Sequence, residues 1–152
     1  MHQIGNTTVL CVSPYPADGA LLERILNYTN SKSRLNLEWT LISTANLASA
    51  LSVLRESAIP IVFCDCDLAP GTWREMLDRI SHLSDPPLLV VTSRVADTRL
   101  WAEALSLGAY DVLTKPYDTT EVIRTLGLAW QHWLRRQSLR SDQIEEASKA
   151  VT

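Results

Sequence analysis

Five short apolar runs punctuate the chain, and the stretches between them carry apolar residues at spacings of three and four, so strands alternate with helices. The first run is Thr8 to Val12, and Ser13-Pro14-Tyr15-Pro16 ends it, because prolines cannot continue a paired strand. Leu21, Leu22, Ile25 and Leu26 then predict an amphipathic helix over Ala17 to Tyr28. Leu35, Leu37, Trp39 and Leu41 alternate with polar positions across Leu35 to Ile42, as in a strand at a sheet edge. A second helix follows over Thr44 to Glu56. Pro60 to Asp65 is apolar without alternation, which fits a central strand covered on both faces. Gly71 to Leu83 reads as a third helix, Pro87 to Thr92 as a fourth strand, and Asp97 to Leu107 as a fourth helix capped by Gly108. Ala109 to Leu113 is the fifth strand, and Asp118 caps a long last helix.

Strict alternation with short connections implies an α/β protein: a parallel sheet between two layers of helices, joined by right-handed crossovers. Five units suggest a flavodoxin-like (βα)5 sandwich of strand order 2-1-3-4-5, which leaves the alternating second strand at an edge. The 152 residues suffice for one core and not for two with a linker, so the division expected is a tail over 1–7, one domain over 8–134 and a helical extension or tail over 135–152.

A hydrophobic content of 46% against 20% charged residues excludes disorder for the bulk of the chain, and no apolar run approaches a bilayer span. The polar start, Met1 to Thr8, has no secretory pattern, so a cytoplasmic location is the expectation. A formal net charge of -3 gives no general attraction for phosphate backbones, and direct nucleic-acid binding is not expected. Cys11, Cys64 and Cys66 lie in or beside strands without paired ligand spacing, and read as buried small hydrophobes. Gly5, Gly19 and Gly71 make no phosphate-cradling motif.

Ligands of open parallel sheets bind beyond the carboxyl ends of the strands. Those ends carry Ser13 and Pro14, Asp65 to Asp67, Thr92 and Ser93, and Thr114-Lys115-Pro116. A carboxylate, a hydroxyl and an ammonium converging there are equipped to accept a phosphoryl group, since the lysine offsets oxyanion charge and the hydroxyl bonds a phosphate oxygen.

With Val62-Phe63-Cys64-Asp65, Leu88-Leu89-Val90-Val91-Thr92-Ser93 and Gly108-Ala109-Tyr110-Asp111-Val112-Leu113-Thr114-Lys115-Pro116, the chain resembles the receiver domains of bacterial two-component response regulators, from about Thr8 to Trp133. The resemblance implies Asp65 as phosphoacceptor, Thr92 as switch hydroxyl and Lys115 as the phosphate-pairing ammonium. It also implies a histidine kinase or phosphotransfer protein as phosphate donor and a downstream protein partner, so action by binding rather than by catalysis. Helix four, strand five and helix five would form the face for partners or for a homodimer, and Tyr110, Tyr117, Trp130 and Trp133 are interface candidates.

Two departures matter. Receivers place two acids after strand one to hold Mg²⁺, whereas this chain has Ser13 and Pro14, which leaves Asp65 and the backbone carbonyl of Asp67 as a weak metal site. Asp18 and the Asp67 side chain are candidate surrogates for them, although Asp18, in the first turn of the first helix, reads as too far along. Val112 occupies the place of the usual fifth-strand aromatic. The alternative is therefore a phosphorylation-independent pseudo-receiver. A small flavodoxin-like enzyme or nucleotide binder, with a pocket lined by Pro14, Pro16 and Trp73, is a more distant alternative. In the last helix, Ile123, Leu126, Trp130 and Trp133 keep a core-facing spacing, which lapses at Gln137 and Arg140 and resumes at Ile144, Ala147 and Val151. Past Arg135 the helix either frays or packs on another chain.

Overall fold

The computed structural model describes residues 5–32 and 37–151. Ten elements alternate: β1 (Gly5–Val12), α1 (Pro16–Lys32), β2 (Leu37–Thr44), α2 (Leu47–Glu56), β3 (Ile61–Asp65), α3 (Trp73–Ser81), β4 (Leu88–Ser93), α4 (Thr98–Leu107), β5 (Asp111–Thr114) and α5 (Thr119–Val151). The strands pair in parallel in the order β2-β1-β3-β4-β5. The expected (βα)5 sandwich with a long last helix is thus the fold.

Strand periodicity builds the two sides of the core. Leu10 and Val12, Val62 and Cys64, Leu89 and Val91, and Val112 face one side, where Ala50 and Leu54 of α2, Trp73, Met76 and Ile80 of α3, and Ala104 of α4 cover them. Val9 and Cys11, Ile61 and Phe63, Leu88 and Val90, and Leu113 face the other, under Leu22, Ile25 and Leu26 of α1 and Val122, Leu126, Ala129 and Trp133 of α5. β3 and β4 are buried along their whole length, as an uninterrupted apolar run requires.

Element ends depart from the pattern for local reasons. β1 pairs with β2 from Gly5 onward, so residues 5–7 belong to the sheet and not to a tail. β2 runs on to Thr44, whose carbonyl accepts the Ser13 N–H at 3.0 Å, and α2 waits for its cap at Asn46, which accepts from Ser49 N–H at 2.9 Å. Leu35 lies outside the described residues. Gly108 ends α4 in the left-handed region with φ 107°, and the Ala109 N–H still bonds the Ala104 carbonyl at 2.9 Å, which delays β5 to Asp111. Asp118 caps α5 by accepting from Glu121 N–H at 3.0 Å.

α5 is continuous to Val151. The lapse in its apolar stripe has a partner: Asp85, in the loop before β4, accepts from Arg136 at 3.1 Å, Gln137 at 2.8 Å and Arg140 at 2.8 Å. Polar residues there clamp the helix to the domain rather than fray it. Beyond the clamp Ile144 stands exposed. Trp133 is 8% exposed and packs in the core, and Trp130 sits edge-on to Trp39 at 6.2 Å. Both therefore anchor α5 on the sheet, which removes Trp133 from the interface candidates and leaves Trp130 only half-buried.

Candidate functional site

Parallel pairing sets Asp65 opposite Thr92 and Ser93 opposite Thr114, so the ends of β3, β4 and β5 fall at one level. Backbone bonds extend this past the strands: Cys66 N–H donates to the Thr92 carbonyl at 2.9 Å and Lys115 N–H to the Ser93 carbonyl at 2.8 Å. Asp65, Thr92 and Lys115, the three residues expected to converge, line one crevice, and all three are buried.

Each oxygen of the Asp65 carboxylate has a partner. Its Oδ2 pairs with the Lys115 ammonium, and its Oδ1 accepts the Asp67 N–H at 2.7 Å. Asp65 is 1% exposed. Lys115 has a second counter-ion, Asp18 Oδ2, at 2.7 Å. Pro16 starts α1, a position that suits proline because its missing N–H has no helical partner, and this places Asp18 in the first turn, facing inward. The expectation that Asp18 lies too far from the strand ends is therefore wrong: the chain turns back at Pro14 to Pro16. Ser13 Oγ donates to Asp18 Oδ2 at 2.7 Å and accepts the Tyr15 N–H at 3.1 Å. Burial alone would push the Lys115 ammonium down, but hydrogen bonds to Asp18 and Asp65 more than offset it, and its pKa is raised above the ordinary lysine value.

Tyr15, which the sequence did not single out, roofs the crevice. The Lys115 ammonium lies 4.9 Å and the Arg94 guanidinium 5.2 Å from its ring centroid, and its hydroxyl donates to Asp67 Oδ2 at 3.1 Å. Tyr117 packs its ring 6.3 Å from Phe63 and points inward. Burial pushes its phenol far above the ordinary value against a lowering hydrogen bond to Thr92. Tyr117 is half-buried beside Thr92. Tyr110 stacks against His132 with ring centroids 5.7 Å apart and is half-buried.

Donors for a divalent cation are few. Asp65, Cys66 and Asp67 bring one ligand atom each within 4.8 Å of one another, but one is a thiol, and Mg²⁺ favours oxygen. Each Asp65 oxygen already has a partner, Asp67 Oδ2 accepts from Tyr15, Ser13 is bonded to Asp18, and Pro14 has no donor side chain. An ammonium already stands beside the carboxylate a metal would use. These residues do not fit the Mg²⁺ that receiver domains bind at an acidic site.

Cys11 and Cys64 are buried and Cys66 is half-buried; all three are free thiols. Burial pushes Cys11 up to about 12 and Cys64 higher still, which makes both poor nucleophiles. Trp73 is 2% exposed and lies in the core. Two concavities open at the strand ends, one lined by Asp18, Arg94, Lys115 and Tyr117 among others, and one by residues that include Cys66, Asp67, Ser93 and Arg94.

A model of the response regulator receiver domain family matches residues 21–126. The chain is 28% identical over 136 residues to the DNA-binding transcriptional regulator NtrC of Rhizobium meliloti (strain 1021), covering 88% of this chain and 27% of that protein. It is 26% identical over 105 residues to the sensory transduction protein LytT of Bacillus subtilis (strain 168), covering 69% of this chain and 40% of that one. The chain thus spans well under half of either relative. Among solved structures, the signal receiver domain of an HD domain-containing protein from Pseudomonas fluorescens Pf-5 superposes with a TM-score of 0.75 at 21% identity, over 91% of this chain and 96% of that one. The chemotaxis response regulator CheY4 of Vibrio cholerae gives 0.69 at 15% identity, over 81% and 98%. With the family model covering more than half its length, and with the strand order and strand-end residues of that fold, the chain belongs to the response regulator receiver domain family.

Proposed function

We propose that this receiver domain signals through protein contact without a phosphoaspartate cycle. Receiver domains are signalling modules that meet histidine kinases or phosphotransfer proteins and downstream partners. The observation that carries the reading is the closure of Asp65: it is 1% exposed, each of its oxygens is bonded, and the Lys115 ammonium that pairs with it lies 4.9 Å from the Tyr15 ring centroid. Phosphoryl transfer needs an accessible carboxylate oxygen and a cation to neutralise the charge that builds on the transferring group. Here the oxygens are bonded to a lysine and a backbone N–H, and Ser13 and Pro14 stand where receivers carry the acidic pair that holds Mg²⁺.

The partner face of this reading is α4, β5 and α5. Trp101 and Leu105, one helical turn apart on α4, are 41% and 40% exposed, and Leu128 of α5 is exposed as well. Exposed apolar residues at such a density suit a protein partner or a second copy. A phosphoacceptor reading is favoured by the convergence of Asp65, Thr92 and Lys115.

The test is incubation of the purified chain with acetyl phosphate and millimolar Mg²⁺, followed by intact mass and peptide mapping. The proposal expects no phosphoryl adduct on Asp65. An adduct in the wild type that Asp65→Asn lacks overturns it.

A further inference from the structure

The buried charges of the crevice do not form the pair that a lysine and one acceptor carboxylate would make. They form a triad, with Asp18 as a second carboxylate on Lys115. The Asp18 side chain is 13% exposed and that of Lys115 is 4% exposed, so water screens these contacts poorly. Three features of the chain bring Asp18 there. Pro16 opens α1 early, Ser13 Oγ donates to the same Oδ2 that Lys115 holds, and Gly19 lets α1 lie against β2, where a Cβ would fall on the Ser43 side chain. Ser13 occupies a position where a metal ligand would stand, yet its hydroxyl is spent on orienting Asp18.

We infer that Asp18 is a positioning residue for Lys115, and that together with Asp65 it makes the ammonium the resident cation of this crevice, in place of a divalent metal. This inference rests on the phosphate-independent reading above and deepens it. The ammonium stands between two carboxylates in a buried site, satisfies both, and repels a second cation from the same oxygens. The triad also fastens the first turn of α1 to the ends of β3 and β5, a link spanning 97 residues of sequence between Asp18 and Lys115.

The probe is Mg²⁺ alone, titrated into the full chain while thermal and urea midpoints are followed. The wild type is expected to give the same midpoints in chelator and in millimolar Mg²⁺. Lys115→Met keeps much of the aliphatic stem but leaves Asp18 and Asp65 facing each other with no counter-ion. It is expected to lose stability in chelator and to recover part of the loss on adding Mg²⁺. Asp18→Asn is expected to lower the urea midpoint in the wild-type background and to leave it unchanged or raise it beside Lys115→Met, the signature of coupling. It is also expected to move the side-chain ammonium resonance of Lys115, which a merely structural role for Asp18 would not do. Should Lys115→Met not fold even in Mg²⁺, that resonance in Asp18→Asn decides the matter. Saturable Mg²⁺ binding by the wild type, or an Asp18→Asn variant with an unmoved Lys115 resonance, overturns the inference. Labelling of Asp65 by acetyl phosphate would instead defeat the phosphate-independent reading, and leaves the Asp18–Lys115 coupling to be judged by its own cycle.

Discussion

Pro14 and Pro16 restrict the backbone on either side of Tyr15, whose half-buried ring lies 4.9 Å from the Lys115 ammonium. The residue-level chemistry around it favours protonated, neutral or internally paired groups. Cys11, Cys64 and Tyr117 are raised chiefly by burial, and Lys115 is raised by its two carboxylates against burial. Each of the four holds its proton more tightly folded than unfolded. The stability they contribute is therefore complete below the ordinary values, about 8.5 for thiols and about 10 for phenols and ammoniums, and is lost as pH rises through the folded ones. Urea unfolding under reducing conditions should give a lower midpoint at about pH 10 than at neutrality, and an unchanged midpoint would contradict the burial of these groups. Native-state alkylation at mildly alkaline pH should spare Cys11 and Cys64 and label all three cysteines in urea, read by peptide mass. What the sequence yields at this scale is what depends on strand ends. Asp65, Thr92 and Lys115 were legible because parallel strands bring their carboxyl ends to one level. Asp18 and Tyr15 were not, because their places depend on how the chain turns between Pro14 and Pro16, and no hydrophobic period records that.

The elements follow their local signals closely where a cap is chemically marked. Gly108 ends α4 at φ 107°, a conformation that costs other residues strain, and Asp118 starts α5. The second strand and its neighbours were harder, since Ser43 and Thr44 look like turn residues but continue the ladder against Cys11 and Val12. In α5 the lapse at Gln137 and Arg140 looked like the end of packing; it is the Asp85 clamp, a tertiary contact with a loop 51 residues earlier than Arg136. Asp85→Ala should speed hydrogen exchange over 137–151 and leave 122–133 protected, because the latter face the core. The groups involved are partly exposed, so the global cost should be small, about 0.5–1 kcal/mol. Equal exchange in the wild type and Asp85→Ala would mean that the helix persists without the clamp.

For the whole molecule, the order β2-β1-β3-β4-β5 and the two-sided core were legible from strict alternation and strand periodicity. The family was legible from the motifs at the ends of β3, β4 and β5. What the pattern left open was the state of the site. The missing acids after β1 pointed to a weak metal site, whereas the folded chain supplies its own cation from Lys115 and its own roof from Tyr15. In this account, signalling falls to the surface of α4, β5 and α5, where Trp101 and Leu105 stand exposed. The most direct test of a closed acceptor site is a titration of beryllofluoride with Mg²⁺ into isotope-labelled protein, following the backbone amides of Cys66, Thr92, Ser93 and Lys115. The account predicts that these amides do not shift. A saturable shift in the wild type, absent from Asp65→Asn, would contradict it and restore a working phosphoacceptor.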